Sequence, residues 1–403
     1  MSRLALRLFV LCTLVLAANG SGQTDERRLA ISEEPFLEMF SLKFAEGSEA
    51  QSRPAIYEQG PFAFNSIPSI ARAPDGRLFL AWIAETGFAR GGRIVGAYSS
   101  DGGRTWGAPL ELINKRDRSD GDPVIIVDGQ HLRVISTSSR LPEGVDKFNP
   151  WPVRFDRTWW YMTSTEDDGK TWSKPVEVKC PHLYAGKRSG GYKLKDGTVV
   201  LPYYYETAAE RGRVPQLEGD MRVVAGMLRS RDGGRTWVSG QMVDIPDSKA
   251  GADEPATVLL SSGEIFCLLR NDLDRFYETR SLDGGLTWNP PKPSPLAAHN
   301  APAWVHRLED RPGDELIVGW DNSTGSGRWP LVVAHSLNGG RTWSDPKLIS
   351  NPNPQEGFRA DYPTICQTKD GIIVLAWQEE TLPRHLGKEI RLARFNRAWL
   401  MLK

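Results

Sequence analysis

The sequence is poor in cysteine, and its charges cancel. Its 403 residues include four cysteines, with 50 Lys+Arg against 50 Asp+Glu. After the N-terminal segment three cysteines remain, far apart and odd in number: Cys180, Cys267 and Cys366. Such a set is typical of small buried side chains rather than a disulfide framework, a zinc site or a nucleophile. The balanced charge argues against nucleic acid or a polybasic membrane surface as the main partner.

Long apolar runs are also missing after the N-terminus. The chain starts with "MSRLALR", which carries two arginines, followed by "LFVLCTLVLAA" and the small residues "NGSG". This pattern predicts a signal peptide over residues 1–22 and export to the periplasm or the extracellular space. A membrane anchor is the alternative, but the apolar run is short for a bilayer span, and no later stretch is apolar enough. Leu11 before Cys12 argues against a lipoprotein site.

What the sequence does contain is a repeated eight-residue phrase, the box. Five copies occur, spaced about 50–66 residues apart: "SSDGGRTW" (99–106), "TEDDGKTW" (165–172), "SRDGGRTW" (230–237), "SLDGGLTW" (281–288) and "SLNGGRTW" (336–343). Its Asp can accept backbone N–H groups across a turn, its glycines allow left-handed backbone, and its Trp can be buried between strands. The fifth copy has Asn338 in place of Asp, which suits a turn better than a catalytic carboxylate. We therefore interpret the box as structural.

A fainter repeat alternates with the boxes. Six tight turns separate pairs of apolar runs, at Asp75-Gly76, Asp128-Gly129, Asp196-Gly197, Ser262-Gly263, Pro312-Gly313 and Asp370-Gly371. Asp-Gly between β-rich runs is a strong hairpin signal. Four short strands per unit, repeated around a circle, predict an all-β fold: a six-bladed β-propeller of four-stranded antiparallel blades. A row of separate small β-domains is the less favoured alternative.

The last blade lacks a box, so the predicted propeller needs a strand from elsewhere. We expect it to come from "FLEMFSLKF" or "RPAIYE" near the N-terminus. The predicted organisation is a signal peptide (1–22), an arm that closes the last blade (23–50) and the propeller (51–403).

Polar residues gather at the blade end away from the turns and boxes. The starts of the first strands and the ends of the second strands should meet there around the axis. The residues at these positions are Asn65, Ser66, Glu85, Asp120, Asp122, Arg140, Lys187, Arg188, Tyr204, Tyr205, Glu206, Asp253, Glu254, Arg270, Asn271, Asn300, Asp321, Asn322, Arg359, Asp361, Tyr362, Gln378 and Glu379. So many polar groups converging favour a site for a polar, sugar-like ligand.

With these boxes on a six-bladed plan, the chain resembles the sialidase (neuraminidase) superfamily over about residues 54–396. The resemblance implies a tyrosine nucleophile assisted by a glutamate, three arginines that grip the substrate carboxylate, and an aspartate that protonates the leaving group. Tyr362 matches the nucleophile and Glu254 its glutamate partner. Arg270 and Arg328 match the second and third arginines.

Two features depart from the family pattern. Ser66 in "NSIPS" stands where the first arginine is expected, and Gln378, followed by Glu379, takes the place of the glutamate that supports it. The acid aspartate would fall near Gly87, where no Asp occurs, so Glu85 is the candidate acid.

The sequence thus predicts an exported, exo-acting glycoside hydrolase that releases sialic acid or a related acidic sugar. The predicted catalytic residues are Tyr362, Glu254 and Glu85. The predicted substrate-binding residues are Arg270, Arg328, Ser66, Asp122, Arg188, Tyr205, Asp321, Gln378 and Glu379. No cofactor or metal is expected, since the acidic stretch "RDRSDGD" (116–122) is better explained as a turn than as a calcium site. A uronic-acid polysaccharide lyase and a non-catalytic carbohydrate-binding propeller remain alternatives, and the sequence does not fix an oligomeric state.

Overall fold

The computed structural model describes residues 34–45, 64–85, 92–115, 118–140, 157–182, 185–207, 222–311, 313–325, 327–352, 358–382 and 387–402. The predicted signal peptide and most of the predicted arm lie outside these ranges.

Twenty-five strands make up almost all of the regular structure in these ranges. They are β1 (Leu37–Ser41), β2 (Phe64–Arg72), β3 (Leu78–Glu85), β4 (Arg93–Ser99), β5 (Leu110–Ile113), β6 (Ser119–Asp128), β7 (His131–Arg140), β8 (Arg157–Thr165), β9 (Val176–Val178), β10 (Ala185–Gly186), β11 (Tyr192–Lys193), β12 (Val199–Glu206), β13 (Val223–Ser230), β14 (Val238–Ser239), β15 (Asp253–Leu259), β16 (Ile265–Arg270), β17 (Arg275–Ser281), β18 (Lys292–Ala297), β19 (Ala303–Arg307), β20 (Leu316–Asp321), β21 (Leu331–Ser336), β22 (Lys347–Ser350), β23 (Ala360–Gln367), β24 (Ile373–Leu382) and β25 (Gly387–Phe395). One short helix, α1 (Arg397–Met401), follows. The all-β prediction is confirmed.

The strands form mainly antiparallel sheets in a propeller arrangement. Three sheets have four strands (β6–β9, β15–β18 and β19–β22), and a fourth has five (β10–β14). The remaining strands form one eight-stranded sheet in the order β23-β24-β25-β2-β3-β4-β5, with β1 paired to β25. The prediction of six separate four-stranded blades is therefore not met among the described strands. The reason is a parallel pairing of Phe64 with Lys388, which joins β2 to β25.

Strand β1 lies within "FLEMFSLKF" and pairs antiparallel with β25, from Leu37 opposite Phe395 to Ser41 opposite Arg391. The other candidate, "RPAIYE", lies outside the described residues.

Strands from each of the five sheets border a cavity of about 420 Å³. Segments of β2, β6, β11, β15, β19 and β23 line it. Apolar side chains on the faces of these sheets pack into buried clusters, with Trp82, Trp160, Trp320 and Trp377 almost fully enclosed.

The boxes are structural turns at one end of the sheets. In the first copy the Ser99 hydroxyl donates to Asp101 (2.8 Å) and accepts from the Gly103 N–H (2.8 Å). The Thr105 N–H and hydroxyl donate to the same carboxylate at 2.9 and 2.7 Å. Gly103 has φ of 91°, a conformation that favours glycine. Trp106 is fully buried. In the fifth copy Asn338 accepts from the Thr342 N–H (2.9 Å) and donates to the Thr342 hydroxyl (2.8 Å).

At the opposite end of the sheets, four strands (β2, β6, β15 and β23) carry a β-bulge of the same kind. The register shifts between Ser66 and Ser69, Gly121 and Val124, Asp253 and Ala256, and Asp361 and Thr364. Each bulge contains a residue of positive φ followed by proline: Ile67-Pro68, Asp122-Pro123, Glu254-Pro255 and Tyr362-Pro363. Proline has no N–H to leave unpaired in the interrupted ladder, and a bulge re-aims the side chain beside it.

Candidate active site

Three of the four bulges carry an ionisable side chain: Asp122, Glu254 and Tyr362. Their φ angles are 45°, 34° and 57°. The three groups interact electrostatically, Asp122 with Glu254 and Glu254 with Tyr362. Backbone strain of this kind is found at functional sites, where the surrounding structure holds it in place. The bulges therefore bring side chains from three sheets together at one end of the propeller.

Glu254 and Arg270 form a buried ion pair. The Arg270 Nη1 donates to the Glu254 carboxylate and lies 3.6 Å from Asp253 Oδ2, and its Nε donates to Asn300 Oδ1 at 2.8 Å. Burial opposes the charge of Arg270, but Glu254 and Asp253 raise its pKa above the ordinary value. Burial raises the pKa of Asp253 to about 6, against the opposing effect of Arg270. The guanidinium is thus fixed in place by three neighbours.

Arg328 connects Tyr362 to its neighbours. Its Nη1 donates to Asp361 Oδ2 at 3.0 Å, and its Nη2 donates to the Asn300 carbonyl at 3.2 Å. Its guanidinium carbon lies 5.2 Å from the centroid of the Tyr362 ring, and the two groups interact electrostatically. Predicted residues Glu254, Arg270, Arg328 and Tyr362 therefore lie within one network.

Tyr362 is held as a neutral phenol near pH 7. Burial raises its pKa, and the neighbouring carboxylates of Glu254 and Asp361 add to the increase. Arg328 and Arg270 act in the opposite direction.

Neutral side chains, Ser66 and Gln378, stand where the family pattern has its first arginine and the glutamate that supports it. Ser66 is buried in β2, and the Ile67 N–H beside it donates to Gln378 Oε1 at 3.1 Å. The Gln378 Nε2 in turn donates to Asp361. Glu379 is turned away from this corner, because successive side chains of a strand point to opposite faces. It accepts from Ser350 (2.5 Å) and from the Trp377 indole (3.0 Å).

Glu85, the candidate acid, is the last residue of β3 and lies opposite Phe64. It is partly buried. Gly87 and the rest of 86–91, where the family pattern places its acid aspartate, lie outside the described residues.

Asp122 is packed against a buried lysine. Thr137 donates to Asp122 Oδ2 at 3.0 Å, and the Lys187 Nζ donates to the Asp122 carbonyl at 3.0 Å. Burial raises the pKa of Asp122 and lowers the pKa of Lys187 to about 7. Among the described residues, no group of three or more His, Cys, Asp or Glu is placed to hold a metal ion.

The other three predicted ligand residues occupy different environments. Arg188 is 1% exposed, and it donates to two main-chain carbonyls. Asp321 is fully buried, and burial together with nearby Asp361 raises its pKa well above the ordinary value. Tyr205 stacks on His182 with ring centroids 3.7 Å apart.

Tyr204 has a closer relation to the network than Tyr205 has. Burial raises the pKa of Tyr204, and Asp253, Glu254, Asp122 and Tyr362 act in the same direction. Its ring lies against Gly186, where an added Cβ would be 2.3 Å from the hydroxyl.

Five residues of the network were not assigned to the site from sequence: Lys187, Tyr204, Asp253, Asn300 and Asp361. All five stand at the predicted polar end. The signal that identifies the bulges is the recurring X-Pro at the head of a first strand, visible at 122–123, 254–255 and 362–363.

Comparison with known proteins identifies the family of this chain. The model of the BNR repeat-like domain matches residues 76–375. The chain is 25% identical over 281 residues to a sialidase of Bacteroides fragilis, which covers 61% of this chain and 47% of that one. It is also 25% identical over 360 residues to a sialidase of Micromonospora viridifaciens, with coverage of 83% and 52%. The chain thus spans about half the length of these relatives.

Among solved structures, the fold resembles that of the intramolecular trans-sialidase of Ruminococcus gnavus in complex with oseltamivir carboxylate. The TM-score is 0.66 at 17% identity, covering 90% of this chain and 98% of the other. The chain therefore belongs to the BNR repeat-like domain family, within the sialidase superfamily. No helix in the described ranges is long and apolar enough to cross a membrane.

Proposed function

We propose that this protein is a sialidase-like exo-glycosidase that releases a terminal sialic acid or a related acidic sugar. The observation that carries the proposal is the network in which the Arg328 guanidinium lies 5.2 Å from the Tyr362 ring while Arg270 binds Glu254, whose carboxylate interacts electrostatically with that phenol. A nucleophile, a base and two cations for a carboxylate are thereby gathered at one end of the propeller.

The chemistry follows from the charges. A neutral phenol at Tyr362 approaches an anionic sugar without the repulsion that a carboxylate nucleophile would meet. Glu254 takes the phenol proton as the tyrosine attacks the anomeric carbon. Arg270 and Arg328 bind the substrate carboxylate, since guanidinium groups pair with carboxylates in a bidentate geometry. Both are already oriented by internal carboxylates, so little ordering remains for the substrate to impose.

The leaving group needs a proton donor, and we assign that role to Glu85 at the end of β3. Most glycosidases place an acid opposite the nucleophile, and tyrosine nucleophiles are the sialidase exception.

The neutral corner at Ser66 and Gln378 defines the substrate further. A third arginine would add one charge-assisted contact, worth about 1.5–3 kcal/mol in a desolvated site. With two arginines the pocket binds a carboxylate less tightly, so the substrate range we propose includes uronic acids as well as sialic acids.

The test is hydrolysis of a panel of fluorogenic glycosides: sialosides, glucuronides and galacturonides. We expect release of the fluorophore from at least one member, and a loss of at least about 100-fold in kcat for Tyr362→Phe. The matched control is Tyr98→Phe, whose ring packs on Phe79 (centroids 4.6 Å apart) near the boxes; it should retain activity.

Other outcomes refute the hydrolase. An ultraviolet-absorbing unsaturated product from a polyuronide would identify a lyase. Glycan binding that survives both Tyr362→Phe and Glu254→Gln, without any turnover, would identify a binding module.

Two further proposals concern architecture and location. We interpret the eight-stranded sheet as two neighbouring blades, β2–β5 and β23–β25 with β1, which gives six blades in all. We also propose export to the periplasm or the extracellular space, with cleavage near residues 20–22, which N-terminal sequencing of the secreted chain would test.

A further inference from the structure

Arg188 is buried beside the Tyr362 ring, with almost no surface open to a substrate. It is 1% exposed and follows β10 in the third sheet of the chain. Its Nη1 donates to the Pro68 carbonyl at 3.2 Å, and its Nη2 donates to the Pro363 carbonyl at 3.0 Å. Both acceptors belong to the X-Pro bulges, one after Ile67 and the other after Tyr362.

The same guanidinium faces the nucleophile. Its carbon lies 5.1 Å from the centroid of the Tyr362 ring, close to the 5.2 Å separation of Arg328 from that ring. A second ring, that of Trp304, has its centroid 5.9 Å from the same carbon. Arg188 interacts electrostatically with Glu254 and Tyr362. An arginine keeps its charge even when buried, so a fixed cation lies beside the phenol.

We propose that Arg188 is a positioning residue, which holds the Tyr362 bulge in its strained conformation and keeps a permanent positive charge beside the phenol. The family pattern supplies positive charge to the pocket through its first arginine, whose place Ser66 occupies here. Arg188 supplies a cation that is bound to the protein backbone rather than to the ligand. The catalytic meaning of this role rests on the proposed function, whereas the positioning itself does not.

Three consequences distinguish this role from ligand binding. Removing the charge makes the phenolate of Tyr362 harder to form, because a cation at about 5 Å stabilises an anion appreciably even at an effective dielectric constant near 20. Removing only the two-pronged hydrogen bonding, while keeping a charge, leaves that electrostatic effect largely in place. Neither change alters a group that contacts the substrate.

The readout is the ionisation of residue 362 itself. Full-length protein would carry 3,5-difluorotyrosine at position 362, because its phenol ionises at a lower pH than tyrosine. The phenolate absorbance would then be titrated. The other titratable groups that interact with this phenol are Glu254 from β15, Arg270 from β16, Arg328 before β21, Asp361 from β23 and Tyr204 from β12. They remain unchanged in every variant compared.

We expect Arg188→Met to raise the titration midpoint by at least about one pH unit. Arg188→Gln retains an amide donor without the charge, so it replaces the methionine variant if that variant does not fold. The matched control is Arg229→Met. Arg229 is also buried, and its Nη1 donates to the carbonyls of Asp283 (3.3 Å) and Gly284, near the boxes. This control should lose stability without moving the midpoint.

An unchanged midpoint in both Arg188→Met and Arg188→Gln would overturn the proposal, as would an equal shift in Arg229→Met. On any glycoside that the wild type cleaves, Arg188→Met should lower kcat at least about tenfold and move the pH profile to higher pH, while KM changes little. If the wild type cleaves none, the proposed function fails, and the titration still decides the role of Arg188.

Discussion

Replacing Gln378 by glutamate probes the corner of the site that departs from the family. Gln378 is 2% exposed; its Nε2 donates to Asp361, and its Oε1 accepts from the Ile67 N–H at 3.1 Å. Gln378→Glu has nearly the same volume and can still accept that N–H. It replaces the donor to Asp361 by a second carboxyl oxygen, so the variant changes charge without creating a cavity.

The size of the effect follows from protonation. A glutamate has a pKa near 4.3 in the unfolded chain, and beside Asp361 in a buried site it must take up a proton to remain folded. At pH 7.5 that uptake costs about 4 kcal/mol, at 1.36 kcal/mol for each unit of pKa change. Because the pKa is raised in the folded state, folded protein binds more protons above pH 4.3, and stability falls as the pH rises. At pH 4.5 the loss should shrink to about 1 kcal/mol or less, since the protonated glutamate can donate to Asp361.

Urea unfolding at the two pH values measures both losses. The matched control is Gln367→Glu. Gln367 is also buried; its Nε2 donates to Asp310 (2.7 Å), and its Oε1 accepts from the Glu309 N–H (2.8 Å). The Asp310 side chain is 32% exposed, so water screens the added charge. We expect a loss of about 1–2 kcal/mol there, with a weak pH dependence. If Gln378→Glu lost less than about 1 kcal/mol of unfolding free energy at pH 7.5, or lost the same amount at both pH values, proton uptake by the buried glutamate would not be the cause.

Three other predictions concern stability. Burial lowers the pKa of Lys187 to about 7. Above that pH the unfolded chain binds more protons than the folded chain. The unfolding free energy of the wild type should therefore rise by about 2 kcal/mol relative to Lys187→Met between pH 7 and pH 9, as measured in denaturant titrations. A Cβ at Gly186 would lie 2.3 Å from the Tyr204 hydroxyl, so Gly186→Ala should lower the unfolding free energy by about 2 kcal/mol, and a neutral result would mean that the ring moves freely. Asp232 accepts hydrogen bonds from the Thr236 N–H (2.9 Å) and hydroxyl (2.6 Å); Asp232→Ala should cost about 2 kcal/mol, whereas Asp232→Asn, the arrangement that Asn338 already has, should cost under about 1 kcal/mol by thermal unfolding.

Much of the fold can be predicted from the sequence because its signals are local. An Asp-Gly turn or a box fixes its own backbone through bonds between residues four apart, as Ser99 and Gly103 illustrate. Strand alternation then predicts the end at which Glu254, Arg270 and Tyr362 meet, whereas Arg328 is indicated by the family resemblance. The joined eight-stranded sheet could not be predicted in this way, because it depends on a pairing between Phe64 and Lys388, distant in the chain.

The arrangement of the site depends on three features that limit prediction from the sequence. A bulge adds one residue to a strand, so the two-residue period no longer says where the next side chain points. Adjacent residues of a regular strand face opposite ways, which is why Gln378 lies in the network and Glu379 does not. The role of Arg188 depends on main-chain carbonyls of Pro68 and Pro363, more than 100 residues away on either side. No sequence pattern reports such contacts.

The most direct test of the central claim, that Tyr362 is the nucleophile, is covalent trapping. Fluorinated analogues of the acidic glycosides, which slow breakdown of a glycosyl-enzyme, would be incubated with the protein and followed by peptide mass spectrometry. We expect one sugar adduct on the peptide that contains Tyr362, absent in Tyr362→Phe and retained in Tyr98→Phe. Turnover of the parent glycoside with no adduct, an adduct on another residue, or full activity in Tyr362→Phe would contradict that claim.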